Sequence, residues 1–444
     1  MADTSLERTP AREAYATARE NDLRRYPSPD RDGDRLYPLA APSAKPSFRI
    51  ARTDKVFTIG SCFARNVEAA LTDAGLTITS NEADLGPVGD ALGQATNLFN
   101  KYAIHSILND LTWALEPATY PGDAVIYPLG PKDHYADLQL GMAKLDFPLE
   151  TIRAFRARYL QVMARAAEAD VIIITLGYVE TWFDTTLGIY LNSAPPQALV
   201  KAEPDRFEFR VLSYDDVLSG LRAVYALLRK HRTKPMKMLL TVSPVPLLST
   251  FRDMDVLVAN TYSKSVQRAA IDAFLKEAPG VDYFPSYEFV MLSNPAVAWS
   301  RGDYRHVNPD LVARIMSNVV TRYVGDTPDA EMTPAALQAS ARMLFKSDDF
   351  TSLLALADAH APAFENDPEL LTLLGNAHVK LRNLDAAVVI FEALRALAPD
   401  NPAPLERLIT LCRPLRLPDR AALLLKEHAR LFPNRTAFRK NVAP

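Results

Sequence analysis

Between about residues 50 and 326, short apolar runs rich in β-branched residues alternate with longer stretches of helical periodicity. The short runs predict strands at residues 55–59, about 169–177, 238–242 and 281–284. Because helical segments separate these strands, the pattern favours an α/β domain with a mostly parallel sheet.

The segments between the strands carry their apolar side chains on one face, as amphipathic helices do. Gly60 ends the first strand, so the chain passes there from a strand through a tight turn into a helix. We predict helices at about residues 67–71, 149–169, 214–231, 259–278 and 309–323.

Outside the α/β domain of residues 51–326, the sequence changes character. Residues 1–50 contain two proline-rich stretches, and proline removes a backbone donor and blocks regular elements. We expect an extended arm there, with one short helix at most. Residues 333–440 show helical periodicity throughout, and a short linker containing glycine and proline precedes them.

A 34-residue period runs through this helical region. Ala387 recurs as Ala421, and Pro399 recurs as Pro433. Thirty-four residues is the period of tetratricopeptide repeats, which are stacked helix pairs. We predict two or three degenerate repeats of this kind, which would offer a protein partner a concave surface. A generic helical bundle is the alternative.

The composition excludes several classes of protein. Among 444 residues, 50 are Lys or Arg and 53 are Asp or Glu, so no basic excess points to nucleic acid. With two cysteines, Cys62 and Cys412, neither a disulfide framework nor a cysteine-rich zinc site is expected. No apolar run approaches the roughly 18 residues that a membrane span needs, and the polar start is unlike a secretory signal. We therefore expect a soluble, cytoplasmic protein without a membrane span. The sequence also lacks metal and nucleotide motifs, so no cofactor is predicted.

The string Gly60-Ser61-Cys62-Phe63-Ala64 is the first candidate for chemistry. A serine between a strand end and a helix start presents its hydroxyl at the carboxyl edge of the sheet, where α/β proteins bind ligands. Amides of the following helix turn can stabilise a developing oxyanion. Alternatively, Ser61 only caps the helix.

Asp303 and His306 form the second candidate, on a loop just before the last helix of the domain. An aspartate three residues before a histidine can hold one ring nitrogen by a hydrogen bond. The other nitrogen is then free to act as a base toward a serine. A surface pair without function is the alternative.

Together these strings resemble a known family. A serine after the first strand and Asp-x-x-His before the last helix is the chain order of SGNH (GDSL-type) esterases. The string at residues 60–64 is the name-giving motif of the GSCFA domain family, and residues 175–182 (TLGYVETW) and 241–246 (TVSPVP) are also similar to it. The resemblance spans about residues 50–325. It implies an SGNH-like, three-layer α/β domain related to hydrolases.

The resemblance also implies roles for individual residues. Ser61 would be the nucleophile, His306 the general base and Asp303 the group that orients His306. The oxyanion donors would be the amides of Ser61 and Gly177 and the side chain of an asparagine. SGNH enzymes carry that asparagine two residues after the glycine, but here Val179 stands at that place. Asn100 is the candidate replacement, with Asn97 as its competitor.

Three further residues near these strings are candidates. Glu180 follows a predicted strand, and we expect its carboxylate to face the same cleft as Ser61. There it would bind a substrate hydroxyl or polarise His306. Alternatively, it forms a salt bridge with an arginine. Trp182 is a candidate for stacking on a sugar ring, or a core residue. Cys62 stands at a helix start, which favours a thiolate. We expect its side chain to point away from the cleft, because residue 61 occupies the turn.

These observations support three functions. The first is a serine ester hydrolase acting on an acyl-decorated carbohydrate or a similar small ester. The second is a polysaccharide O-acyltransferase with the same three residues. The third is a ligand-binding or scaffold protein without turnover, which the missing asparagine favours and the complete serine, histidine and aspartate set opposes.

Overall fold

The computed structural model describes residues 7–28, 35–73, 75–80, 100–129, 133–140, 147–300, 303–324, 334–346 and 348–442. The chain forms two compact units. The first comprises residues 1–308 and 315–331, and the second comprises residues 309–314 and 332–444.

Ten strands lie in the described part of the first unit. They are β1 (Lys55–Gly60), β2 (Thr77–Ile78), β3 (Ile126–Pro128), β4 (Tyr135–Asp137), β5 (Val171–Leu176), β6 (Glu180–Asp184), β7 (Ile189–Leu191), β8 (Phe207–Val211), β9 (Met238–Val242) and β10 (Val281–Tyr283). Five of them form a parallel sheet in the order β10-β9-β5-β1-β2. This arrangement confirms the α/β class expected from the sequence.

The sheet is buried on both faces, which explains why its strands read as continuous apolar runs. All six residues of β5 are buried. Phe57, Ile172 and Leu240 contribute to the main hydrophobic core together with residues of the surrounding helices. Their neighbours along each strand face the opposite side of the sheet. The side chains of both sets are therefore packed against other elements of the domain.

Helices connect the strands. Between residues 11 and 323 they are α1 (Ala11–Glu20), α2 (Phe63–Asp73), α3 (Ile104–Leu115), α4 (Leu149–Ala164), α5 (Gln197–Ala202), α6 (Tyr214–His231), α7 (Val256–Leu275), α8 (Ser286–Met291), α9 (Pro295–Ala298) and α10 (Pro309–Tyr323). Helix α6 starts where predicted because Ser213 and Asp216 form a capping box. In the N-terminal arm, α1 has no buried residue, whereas Leu39 and Ala40 are buried.

Two small antiparallel sheets were not predicted. Strands β3 and β4 form one, and β7, β6 and β8 form the other in that order. They were missed because these strands are short and mix polar with apolar residues. Glu180, which we expected just past a strand, begins β6.

The second unit is helical in its described part. Beyond residue 333 its helices are α11 (Pro334–Lys346), α12 (Phe350–Ala359), α13 (Ala361–Glu365), α14 (Pro368–Lys380), α15 (Leu384–Leu397), α16 (Pro402–Cys412), α17 (Pro418–Leu431) and α18 (Thr436–Val442). Two hydrophobic clusters hold them, one around Leu353 and Phe364 and the other around Phe391 and Leu408.

The turns of this unit repeat with the period of the sequence. Asp348, Arg382 and Arg416 have positive φ values of 56°, 60° and 57°, and each lies between two helices. They are 34 residues apart. Gly375, in α14, packs against the ring of Phe391, where an added Cβ would approach ring atoms to 2.9 Å. A helix–turn–helix unit therefore recurs every 34 residues.

Among the described residues, no helix is long and apolar enough to cross a membrane.

Candidate active site

The turn after β1 is fixed by a close contact between two strands. Gly60 pairs with Thr175 of β5 and has a φ of +139°. A Cβ at this position would lie 2.1 Å from the Thr175 carbonyl oxygen, so no other residue fits. The chain then turns at Ser61 and Cys62 before α2 begins at Phe63. Both turn residues consequently lie at the carboxyl end of the sheet.

Three strand ends meet at one cavity. Ser61, Gly177 and Ser243 directly follow β1, β5 and β9, and all three line a cavity of about 360 Å³. Ligands of open α/β sheets bind outside the carboxyl ends of the strands. The cavity is therefore the candidate active site, and it contains the turn that the sequence singled out.

Ser61 is held firmly in the wall of this cavity. It is 2% exposed, and its amide donates to the Thr175 carbonyl at 2.9 Å. Its Oγ lies 3.2 Å from Oγ1 of Thr175 and accepts a long hydrogen bond of 3.4 Å from the Phe63 amide. Ser61 therefore contacts the first turn of α2 and also lines the cavity.

Cys62 also lines the cavity, contrary to our expectation that it would point away. The reason is that α2 begins only at Phe63, so both turn residues precede the helix. Burial raises the pKa of the Cys62 thiol, and the positive charges of Lys264 and Arg305 partly oppose that rise. The amides of Cys62 and Phe63 also lower its pKa by donating to the sulfur.

The sequence analysis did not identify Lys264, a fully buried cation beside this turn. Its Nζ donates to the carbonyl oxygens of Gly177 at 2.6 Å and Val245 at 2.8 Å. Burial lowers the pKa of Lys264 to about 7. Through its two hydrogen bonds, Lys264 joins the loops that follow β5 and β9. The signal was present in the sequence, because Lys264 stands among residues of α7 that face the core, such as Ala259 and Ile271.

Asp303 and His306 form the pair that their spacing predicts. Oδ1 of Asp303 accepts from the amides of Arg305 at 2.9 Å and His306 at 2.8 Å. Its Oδ2 lies 2.5 Å from Nδ1 of His306. These bonds, first those of the His306 amide and ring, hold the pKa of Asp303 well below its usual range. Because Nδ1 is bonded to Asp303, Nε2 is the ring nitrogen that could act on another group.

The structure does not join this pair to Ser61. The His306 side chain is 72% exposed. No hydrogen bond connects it to Ser61, although both residues are described, and Arg305 lines the cavity in its place. Sequence reasoning missed Arg305, whose only signal was its position beside His306.

The expected oxyanion donors are engaged elsewhere. The amide of Gly177 donates to the Tyr102 carbonyl at 2.8 Å, and the amide of Ser61 is bonded to β5. Asn100 is buried beside Gly60, and its side chain hydrogen-bonds the Tyr102 side chain. Asn97 lies outside the described residues. In this arrangement, neither backbone amide is available to an oxyanion.

Glu180 and Trp182 both line the cavity, as expected. Oγ1 of Thr250 donates to the carboxylate oxygens of Glu180 at 2.8 and 3.0 Å, and among the residues that the structure describes no arginine forms a salt bridge with it. Trp182 makes edge-on contacts with Phe251 at 5.1 Å and Phe209 at 5.5 Å between ring centroids. Trp182 therefore belongs to an aromatic cluster in the wall of the cavity.

Within the part of the chain that the structure describes, no group of three or more His, Cys, Asp or Glu side chains could hold a metal ion. The cavity lining offers several hydroxyls, the thiol of Cys62, the carboxylate of Glu180, the guanidinium of Arg305 and an aromatic wall.

The structure has a parallel sheet with a cavity at its carboxyl edge, which is where open α/β domains bind their ligands. The chain belongs to the GSCFA family, whose model matches residues 55–319, more than half of the chain. The match includes Ser61, Cys62 and the Asp303–His306 pair. No curated protein matches the chain.

Proposed function

We propose that this chain is an ester hydrolase that transfers an acyl group through an acyl-enzyme formed at the turn after β1. Ser61 is the nucleophile, His306 the general base and Asp303 the residue that orients His306. The observation that carries the proposal is that this turn reaches a cavity where three parallel strands end. A relation to SGNH esterases is part of the proposal.

The steps follow from the groups present. Nε2 of His306 accepts the Ser61 proton while Oγ attacks the ester carbonyl. Collapse of the tetrahedral intermediate expels the alcohol, which takes the proton from His306. Water then gives a proton to His306 and attacks the acyl-enzyme, and Ser61 Oγ takes that proton from His306 as the acid is released. Asp303 stabilises the imidazolium through the hydrogen bond to Nδ1.

The proposal requires three local changes when substrate binds. His306 must turn from solvent toward the cavity, and Ser61 must exchange Thr175 for the base. An amide that is now bonded to a carbonyl, such as that of Gly177, must also become free to donate to the oxyanion. Hydrogen bonds between catalytic groups are often long before substrate binds and tighten in the complex. The exposed loop of Asp303 can make this movement with little loss of packing, because neither side chain of the pair is buried.

A thiol-dependent acyl transfer is the second candidate, and the position of Cys62 favours it. Cys62 is less buried than Ser61, and two amides and two cations act on its sulfur. A thioester would then replace the serine ester, with His306 again as the base. The lack of a preformed oxyanion hole favours a third candidate, binding without turnover.

The acceptor of the acyl group can be water or the hydroxyl of a carbohydrate. An O-acyltransferase would use the same residues, because the acyl-enzyme step is common to both reactions. For the second unit, we propose tetratricopeptide-like repeats that bind a protein partner. The 34-residue spacing of Asp348, Arg382 and Arg416 supports this assignment.

Labelling with a fluorophosphonate tests the nucleophile. We expect the probe to modify the wild-type protein at Ser61, to modify the Cys62→Ala variant equally, and to leave Ser61→Ala unlabelled. Labelling by iodoacetamide that is blocked by an ester substrate would assign the reaction to Cys62 instead. If a folded wild-type protein reacts with neither reagent and cleaves no ester, the chain binds its ligand without turnover.

A further inference from the structure

An apolar wall leads from the cavity to the protein surface. Val245 and Leu247 lie in the cavity, and the same segment carries Leu248 and Phe251, which are 73% and 61% exposed. We infer that this wall binds the aliphatic chain of the substrate's acyl group. The inference rests on the proposed function and specifies its substrate class: esters of medium-length fatty acids rather than acetyl esters.

The cavity lining combines polar and apolar side chains. Ser61, Cys62, Ser243 and Arg305 belong to it, and beside them an ester group would react and a carboxylate product would meet a cation. Val245, Leu247, Leu248 and Phe251 form an apolar segment of the lining, and further polar side chains line the rest: Glu180, Thr181, Asn192, Ser193 and Ser249. A ligand with a polar carbonyl at one end and an aliphatic chain at the other can contact both kinds of group, and an acyl chain is such a ligand.

The segment that forms the wall is held in place through its polar groups. Its Leu247 amide donates to Oδ1 of Asn260 at 3.1 Å, and Thr250 is bonded to Glu180. The amide of Arg252 donates to Oγ1 of Thr250 at 3.1 Å. Because these groups already have partners, the segment presents mainly apolar side chains to a ligand.

Aromatic rings extend the wall. Phe251 contacts Trp182 at 5.1 Å and Phe209 at 5.5 Å between centroids, so the three rings form one surface. Burial of an aliphatic chain against it gains free energy with each methylene added. The cavity volume of about 360 Å³ lies within the range that holds small organic ligands.

The apolar surface continues beyond the mouth of the cavity. Met254, Leu257 and Val258 are exposed by 39%, 73% and 58%, and they follow Phe251 along the chain into the helix Val256–Leu275. Exposed apolar groups that cluster in this way mark a binding surface. Because they follow the wall directly in sequence, we assign them to contacts with the distal part of the acyl chain.

Calorimetry with butyrate, octanoate and dodecanoate, each below its micelle concentration, tests the inference on the full-length protein. We expect octanoate to bind at least about tenfold more tightly than butyrate, since each methylene contributes roughly threefold. Phe251→Ser and Leu248→Ser should remove most of this difference. Leu423→Ser, at an equally exposed apolar position in the helical unit, is the matched control and should leave it unchanged.

Several results would overturn the inference. Equal dissociation constants for butyrate and octanoate would do so. Retention of the difference in Phe251→Ser would do so as well. A wild-type dimer that Phe251→Ser converts to a monomer in sedimentation would show that a second copy covers this surface.

The same series as p-nitrophenyl esters separates this inference from the proposed function. If longer fatty acids bind more tightly but no ester is cleaved, the proposed hydrolase activity is refuted and the inference that the wall binds acyl chains stands. If esters are cleaved at rates independent of chain length and no fatty acid binds, only the inference about the wall is refuted.

Discussion

The turn after β1 and the loop of residues 303–308 are built in opposite ways, although the proposed reaction needs both. Ser61 is 2% exposed and is bonded to β5 through its amide and its hydroxyl. His306 is 72% exposed, and its side chain is fixed only to Asp303 on the same loop. The position of Ser61 is fixed by the packing of the sheet, whereas the position of the His306 side chain is fixed by its hydrogen bond to Asp303 within the loop.

This difference indicates where the free energy of substrate binding is used. The turn needs no ordering, because Gly60 and Thr175 already fix it. The loop must bring His306 over the cavity, and ordering a side chain or loop costs entropy that binding has to offset. We therefore expect substrate binding and loop position to be coupled, with Arg305 moving as its neighbour turns inward.

The largest effect is expected from breaking both regions together. Ser61→Ala should lower kcat by at least about 10⁴-fold, and His306→Ala by about 10³-fold or more. If the two residues act as one unit, the double variant should be no slower than Ser61→Ala alone. Steady-state kinetics on one ester measures all three. Effects that multiply would mean that the exposed loop and the buried turn act independently.

Asp303→Asn tests whether the loop contributes only by orienting the base. The amide can still accept the backbone hydrogen bonds, but it cannot stabilise an imidazolium. We expect a smaller loss of kcat than in His306→Ala, because the base itself is kept, with little change in the melting temperature. Asp205→Asn, at an exposed acidic residue of the loop before β8, is the control. An unchanged kcat in Asp303→Asn would show that the Asp303–His306 pair has no role in catalysis.

Lys264→Met tests the rigid region through pH. The pKa of Lys264 is lowered to about 7 in the folded protein, so between pH 7 and about 10 the unfolded chain binds more protons at this residue. This group therefore makes the free energy of unfolding rise with pH across that window, by up to about 4 kcal/mol. Below pH 7 its contribution is constant.

Urea denaturation at several pH values measures this effect. The rise with pH should be smaller in Lys264→Met than in the wild type, and Lys201→Met, on the exposed side of α5, should match the wild type. Identical pH dependence in all three proteins would contradict the description of Lys264 as a buried amine of low pKa. The variant should also be less stable overall, because two buried carbonyls lose their donor.

The smallest effect is expected at Glu180. Its carboxylate holds Thr250 and hence the apolar segment. Glu180→Gln keeps one acceptor oxygen, so the free energy of unfolding should fall by about 1 kcal/mol or less. Binding of octanoate should weaken a few-fold while that of butyrate stays the same. A large loss of kcat on short esters would instead place Glu180 in the chemistry.

The sequence predicted the elements whose signal is strong and local. The strands β5 and β9 are continuous apolar runs, and α6 has both a capping box and a basic last turn. The short strands β3 and β7 were missed, because three residues are too few to show the period of a strand. Their pairing depends on partners distant in sequence.

The same limit applies to the site. The Asp303–His306 pair is local and was predicted. That the pair does not reach Ser61 depends on how the loop is folded against the sheet, which its sequence does not encode locally. Lys264 was overlooked because a lysine in a helix is usually exposed. Only its position on the buried face of α7 distinguished it.

The most direct test of acyl transfer at the turn is to trap the acyl-enzyme. The protein is mixed with p-nitrophenyl octanoate, quenched in acid within one turnover and mapped by peptide mass spectrometry. We predict an octanoyl group on Ser61 that resists neutral hydroxylamine, as an oxygen ester does. A hydroxylamine-labile group on Cys62 would change the nucleophile but keep the turn. A wild-type protein that hydrolyses the ester with no adduct on either residue would contradict the account.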